Sequence, residues 1–172
     1  MSAWPKPLRL HALGAGVTEI TLAPDAVQRA EAAAALGLED LVALTANVTA
    51  RPWLDGIELS GVFQAVVVQI CGVTLDPFEA EVRGEILVRA VPAESPHAAT
   101  VDGAAIDVDP DAPDPPDVLT SDEVDVVAYV LEHLTLELDP FPRKPGASFE
   151  YEPPSAETSP FAALAALKTP KA

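Results

Sequence analysis

Cysteine is almost absent from this chain of 172 residues, since Cys71 is its only one. An intramolecular disulfide and a multi-thiolate zinc site are therefore both excluded, which favours a reducing compartment. No apolar run approaches the roughly 20 residues that a membrane-spanning helix needs, and residues 1–7 lack the apolar stretch of a signal peptide. We expect a soluble cytoplasmic protein with no membrane partner.

Basic residues are also scarce, with 10 Lys and Arg against 27 Asp and Glu, for a formal net charge of −17. Such a field repels phosphate backbones and attracts basic polypeptides, of which ribosomal proteins are the commonest bacterial examples. Solubility is an equally good explanation of the acidity. The only basic clusters are Arg143-Lys144 and residues 168–171, so we expect no DNA binding, and direct RNA contact stays open.

Signatures of catalysis are missing as well. The phosphate-loop, nucleophile-elbow and HExxH patterns do not occur, and the three histidines are scattered: His11, His97 and His133. Cys71 has no evident supporting base, so it is interpreted as inert. Paired carboxylates such as Asp109 and Asp111 fall in an acidic tract and are interpreted as solvated groups that attract divalent cations weakly. The sequence predicts no catalytic residues, no cofactor and no metal site.

Hydrophobic periodicity predicts an α+β fold. Residues 8–13 and 17–22 are expected to form an opening β-hairpin, and Pro24-Asp25 and Gly37 bracket a helix over residues 26–36. A strand is predicted over residues 41–49, with Val42, Leu44, Ala46 and Val48 facing the core, ended by Arg51-Pro52.

A long central hairpin is predicted next. Residues 57–71 alternate and then become apolar on both faces at residues 66–68, as in a central strand covered on two sides. Even-numbered residues from Phe78 to Ala90 face inward, and the intervening positions are mostly charged. We therefore expect an antiparallel sheet with this hairpin in its middle.

Thirteen of the eighteen prolines lie in the rest of the chain, after residue 91. Residues 93–119 are predicted to be an acidic loop, and residues 122–139 a second main helix with Thr120 or Asp125 as N-cap. Residues 1–145 are expected to form a single domain. Residues 146–172 are expected to form a proline-rich arm that carries a short C-terminal helix over residues 160–168.

Three segments, taken in order, resemble the YceD family of large ribosomal RNA subunit accumulation proteins. They are VVVQICGVTLDPFEAEVRGEILVRAVP at residues 66–92, VDVVAYVLEHLTLELDPFPR at residues 124–143 and SPFAALAALK at residues 159–168. The chain departs from the family where many members carry Cys-x-x-Cys, because here the turn reads Cys71-Gly72-Val73-Thr74. A thiol pair is therefore not required for what this protein does.

The resemblance implies a non-enzymatic factor in large ribosomal subunit biogenesis that supports 23S ribosomal RNA accumulation or processing by binding a precursor particle or a basic ribosomal protein. It brings no catalytic residues. A metal-dependent RNA-processing enzyme and a general acidic adaptor stay open as alternatives. The residues expected to interact with a partner are Asp76, Pro77, Phe78, Asp139, Pro140, Phe141, Pro142, Arg143, Pro160, Phe161, Leu164, Leu167 and Lys168. For the last five, packing on the protein's own sheet is an equal alternative.

Overall fold

The α+β prediction is confirmed by the computed structural model, which describes residues 4–14, 16–98 and 114–151. In chain order the elements are β1 (Pro7–Arg9), a 3-10 turn (Leu10–Ala12), β2 (Thr18–Leu22), α1 (Ala26–Leu36), β3 (Asp40–Trp53), β4 (Gly56–Ile70), β5 (Pro77–Pro92), β6 (Asp117–Leu119), β7 (Glu123–Asp125) and α2 (Val126–Glu137). The central part of the predicted acidic loop, the end of the arm and the predicted helix over residues 160–168 lie outside the described residues.

A five-stranded sheet in the order β2-β3-β4-β5-β6 forms the framework of the fold. The predicted central hairpin is confirmed, because β4 and β5 pair continuously from Ile57 opposite Ala90 to Ile70 opposite Pro77. Strand β6 was not predicted, since it lies within the segment interpreted as a loop, and it pairs with β5 in parallel. Burial of Leu119 accounts for its ordering, because an apolar side chain is stabilised when it leaves water.

One face of the sheet carries the core, and both helices contribute to it. The predicted inward positions of β5 are confirmed, with Val82, Ile86 and Val88 buried. The opposite face was expected to be covered near residues 66–68. No described helix packs there, however, and Val62 and Leu87 on that face are 51% and 62% exposed. The apolar pattern therefore predicted cover on both faces of the sheet, but the second face is open in the described part of the chain.

Helix α1 begins and ends where local signals predict. The Asp25 carboxylate accepts a hydrogen bond from the backbone N–H of Gln28, and the Gln28 side chain accepts one from the backbone N–H of Asp25. This reciprocal pair satisfies two amides that a helix start leaves unpaired. Gly37 ends the helix with a φ of 67°, a left-handed conformation that costs glycine little.

The predicted opening hairpin is wrong. Strand β1 pairs with β7, more than a hundred residues later, and residues 10–12 form a 3-10 turn rather than continuing a strand. The reason is burial, because Val124 becomes fully enclosed opposite Leu8. Helix α2 consequently begins at Val126 instead of residue 122, with Asp125 as the N-cap that accepts from the N–H of Val127.

Strand β3 corrects two further predictions. A shift in register between Leu41 and Ala43 turns Leu41 inward and leaves Val42 40% exposed, so the predicted core position of Val42 is wrong. The strand also runs on through residues 51 and 52 to Trp53, because Arg51 pairs with Glu58 across the hairpin. Among the residues that the structure describes, no helix has both the length and the apolar character to cross a membrane.

Candidate interaction site

Two segments distant in sequence meet at one end of the β4–β5 hairpin. The backbone N–H of Gly72, in the turn after β4, donates to the carbonyl oxygen of Pro142 at 2.9 Å. The amide side chain of Gln69 donates to the carbonyl oxygen of Asp139 at 3.1 Å. Residues 69–78 and 139–144 are together called the Cys71 end. The turn and loop residues that the sequence singled out near positions 76 and 141 are thus joined in space.

The sulfur of Cys71 accepts hydrogen bonds from both of these segments. Its side chain is fully buried, and its Sγ accepts hydrogen bonds from the backbone N–H groups of Val73, Thr74 and Lys144, each at 3.4 Å. Two of these donors belong to its own turn and the third belongs to the loop after α2. One thiol therefore ties the two segments together, although the sequence suggested an inert residue of an apolar strand.

These donors favour the ionised form of the thiol. Hydrogen bonds from the Thr74 hydroxyl, then from the backbone N–H of Lys144 and those of the turn, lower the pKa of Cys71 to about 6, and burial opposes this shift. A thiolate accepts hydrogen bonds more strongly than a thiol does. The hydrogen bonds at the Cys71 end are therefore strengthened when the thiol ionises.

The turn itself presents an exposed leucine in a strained conformation. The backbone N–H of Leu75 donates to the carbonyl oxygen of Cys71 at 2.9 Å, and the N–H of Cys71 donates to the carbonyl oxygen of Asp76 at 2.9 Å. Leu75 has a φ of 62° and is 74% exposed. A residue with a Cβ pays about 1 kcal/mol or more for this left-handed backbone. The hydrogen bonds of the turn thus hold a large apolar side chain out in solvent.

The loop after α2 presents a second exposed apolar side chain. The Asp139 carboxylate accepts from the backbone N–H of Phe141 at 2.8 Å, a local turn that sets the direction of the loop. Phe141 is 80% exposed, while Pro142 is half-buried. Leu75 and Phe141 thus belong to the two segments that meet at the Cys71 end, and exposed large apolar side chains are candidates for an interaction surface.

Charge at the Cys71 end differs from that of the molecule as a whole. Lys144 Nζ lies 3.5 Å from a carboxylate oxygen of Asp76, which links loop and turn a further time. Arg143 is exposed and has no carboxylate partner among the described residues. The Cys71 end therefore carries two acidic and two basic side chains and is balanced in charge on a strongly acidic protein.

The remaining predicted residues have different positions. Pro77 is exposed and opens β5, and Phe78, the next residue of that strand, lies opposite Gln69 and is half-buried. Pro140 is exposed in the loop after α2. Five predicted interaction residues lie outside the described residues: Pro160, Phe161, Leu164, Leu167 and Lys168.

The sequence did not predict the exposed side chain of Leu75, nor the hydrogen bond by which Gln69 connects the hairpin to the loop after α2. Neither carries a signal, because a left-handed leucine and a contact across some 70 residues are set by the fold. Within residues 4–14, 16–98 and 114–151, no three His, Cys, Asp or Glu side chains are grouped so that they could hold a metal ion.

Comparison of the chain with protein-family models finds no match. Comparisons with curated proteins and with solved structures likewise find none.

Proposed function

We propose that this protein is a non-enzymatic factor in large ribosomal subunit biogenesis, and that it binds a precursor particle or a basic ribosomal protein through the Cys71 end. The observation that carries this proposal is the convergence of residues 69–78 with residues 139–144. Both segments come from the regions of the chain that resemble the YceD family. Because they meet in space, parts of two segments that resemble the family lie together on one surface, which could bind a single partner.

Two exposed anchors supply the affinity of that surface. Burying a leucine or phenylalanine side chain fully against a partner stabilises the complex by about 1.5–3 kcal/mol each before ordering costs. Leu75 and Phe141 are each presented by a turn whose backbone is already fixed by hydrogen bonds, so little freedom is lost on binding. Small clusters of such anchors typically dominate an interface.

The net charge of −17 supplies steering rather than contact energy. A negative field raises the rate at which basic proteins approach, and salt screens it over distances of about 8–10 Å at physiological ionic strength. Association with a basic partner should consequently weaken as salt rises, while the apolar anchors keep a salt-resistant share of the affinity.

The test is purification of the tagged protein at low salt, with and without ribonuclease, followed by quantification of ribosomal RNA and ribosomal proteins. Wild type should enrich large-subunit precursors, and Leu75→Ala combined with Phe141→Ala should reduce that enrichment at least tenfold. The matched control is Leu54→Ala, because Leu54 is also an exposed leucine with positive φ in a hairpin turn, 57% exposed, at the other end of β4.

Three results contradict the proposal. One is an eluate from wild type that contains neither ribosomal proteins nor ribosomal RNA, which indicates an adaptor of another kind. Another is turnover of precursor ribosomal RNA by the purified protein with a divalent metal, which indicates an enzyme. The third is equal loss of enrichment in the Leu54 control. Enrichment that survives ribonuclease identifies a protein partner.

A further inference from the structure

Strand β5 has an outer edge that is only partly used. On that side it pairs with β6 through Ala90, Val91 and Pro92 alone. Asp114 and Pro115 lie beside residues 87–89 and line a common cleft with them. From Pro77 to residue 86, no backbone group of another described element pairs with this side of β5. Residues 77–86 are called the open β5 edge.

Two prolines explain why β6 does not continue along this edge. Because β6 runs parallel to β5, the residues before Asp117 are the ones that would extend it toward the open part. Those residues are Pro115 and Pro116, which have no N–H to donate to a neighbouring strand. Strand β6 thus shows that a strand can pair with this side of β5. The position beside β5 on this side is called the lane, and the prolines before β6 leave the rest of the lane unfilled within the described part.

Helix α2 borders the same lane on the core side. The hydroxyl of Tyr129 donates to the Asp117 carboxylate in β6 at 3.0 Å, so this side of the helix faces the lane. Leu136 is seven residues further along, two helical turns away on the same side, and is 75% exposed. An apolar side chain of an added strand would be covered by Leu136.

Carboxylates border the lane on the open face of the sheet. Glu79 and Glu85 on β5 are exposed and have no basic partner in the described part of the chain, whereas Glu81 is paired with Arg83. An edge strand with exposed backbone groups is normally protected by such charges against pairing with a second copy of itself. Two copies of β5 would bring glutamates together, and the protein's own residues 99–113 are acidic too. Neither is the complementary occupant.

We propose that the open β5 edge binds an extended basic segment of a partner protein as an added strand. Lysine or arginine side chains on one face of that strand would meet Glu79 and Glu85, and apolar side chains on its other face would meet Leu136. Backbone hydrogen bonds to β5 would give affinity, and the alternating side chains would give selectivity. This inference rests on the proposed function for its choice of a basic partner, but it uses a surface separate from Leu75 and Phe141.

The probe is a synthetic peptide of about ten residues that alternates lysine with valine, a length that matches the open edge. Its binding to the full chain is measured by fluorescence anisotropy, and hydrogen exchange of the β5 amides is measured in parallel. The peptide should slow exchange at amides within residues 77–86. The same peptide N-methylated at alternate residues on its bonding side should lose binding, because it has no N–H groups there to donate.

Charge variants locate the contact. Glu79→Lys with Glu85→Lys should weaken peptide binding about tenfold, as the loss of two surface ion pairs implies. The matched control is Glu19→Lys with Glu31→Lys, which makes the same change of charge at exposed sites on β2 and α1 and should leave most of the affinity intact. Leu136→Ser should also weaken binding.

Equal binding of the methylated peptide, an equal effect of the control variant, or unchanged β5 exchange would overturn the inference. Its failure is distinct from that of the proposed function. If the peptide binds the edge while the purified protein enriches no large-subunit material, the edge inference stands and the proposed function fails. If the peptide does not bind, and the variant Glu79→Lys with Glu85→Lys enriches large-subunit material as wild type does, the proposed function stands and the edge inference fails.

Discussion

The backbone N–H of Lys144 donates a hydrogen bond to the Sγ of Cys71, which lies 73 residues earlier in the chain. This contact, with that between Gly72 and Pro142, closes the loop after α2 onto the hairpin turn. The hydroxyl of Thr74 and three backbone amides donate to the sulfur, so a single thiol organises the Cys71 end.

The first prediction concerns pH. The folded pKa of Cys71 is about 6 against an ordinary value of 9.0, so its ionisation favours folding fully above about pH 9 and not at all below about pH 6. Cys71→Ser removes this contribution, because serine does not ionise. We expect the difference in free energy of unfolding between wild type and Cys71→Ser to grow from pH 6 to pH 9 in urea titrations. Parallel pH profiles for the two proteins would contradict the hydrogen-bonded thiolate.

The second prediction separates strain from binding at Leu75. Because its φ is positive, Leu75→Gly should be more stable than Leu75→Ala by about 1 kcal/mol, the reverse of the usual order. Both variants should lose partner binding, since both remove the exposed side chain. The same pair of substitutions at Leu54, whose φ is 53°, should show the same stability order and normal binding. Urea unfolding and the purification assay are the measurements, and a more stable alanine variant at either site would contradict the strained backbone.

The third prediction concerns the buried carboxylate on the open face. Glu58 is 1% exposed and accepts hydrogen bonds from Arg89 at 2.9 Å and Arg51 at 2.8 Å. Its hydrogen bond from Arg89, followed by that from Arg51, lowers the pKa of Glu58 against the effect of burial. Glu58→Gln should cost about 2 kcal/mol of unfolding free energy near neutral pH, the usual loss for hydrogen bonds to a charged group.

The pH dependence of this loss has a definite sign. A carboxylate with a depressed folded pKa stabilises the fold above its ordinary value of 4.5 and loses that effect as the pH falls through the folded value. The gap between wild type and Glu58→Gln should therefore narrow in acid, as measured by urea unfolding at about pH 7 and about pH 3. Glu85→Gln, on the same face without a basic partner in the described part, should leave stability unchanged at both pH values.

The fourth prediction tests the packing of the hairpin. A Cβ on Gly61 would lie 2.2 Å from the carbonyl oxygen of Asn47 and 2.9 Å from the Cα of Val48. Gly61→Ala should therefore destabilise the protein by about 2–3 kcal/mol, because the two strands must move apart. Gly16→Ala, where a Cβ meets nothing within 4 Å, is the control and should be neutral. Equal midpoints of thermal unfolding for the two variants would contradict the observed strand spacing.

Local signals in the sequence predicted the elements whose causes are local. The Asp25–Gln28 capping pair and Gly37 fix both ends of α1, and simple alternation identifies the core face of β5. The pairing of β1 with β7 could not be predicted, since it depends on Leu8 meeting Val124 across the length of the chain. The one-residue shift near Leu41 was equally hidden, because an alternating pattern gives no sign of a bulge.

The Cys71 end likewise combines features that the sequence predicted with contacts between distant residues that it did not. The exposed residues at positions 76, 141 and 143 were predicted as separate pieces, from resemblance and exposure. What joins them is a set of backbone hydrogen bonds, and side-chain identity does not encode backbone bonds across a long separation. The sulfur environment and the left-handed Leu75 follow from that closure, so the sequence alone suggested an inert thiol and gave no indication of the leucine.

The pairing of β1 with β7 also sets an order of events during synthesis. Residues 7–9 leave the ribosome before the other described strands, but their partner strand is made only when residues 123–125 appear. The backbone N–H of Lys6, which donates to the Asp125 carboxylate at 3.0 Å across 119 residues, waits equally long. The β3–β4–β5 meander has all its partners close in sequence and can form beforehand. Strand β1 is thus made before the other described strands but is among the last of them to be incorporated, together with the start of α2.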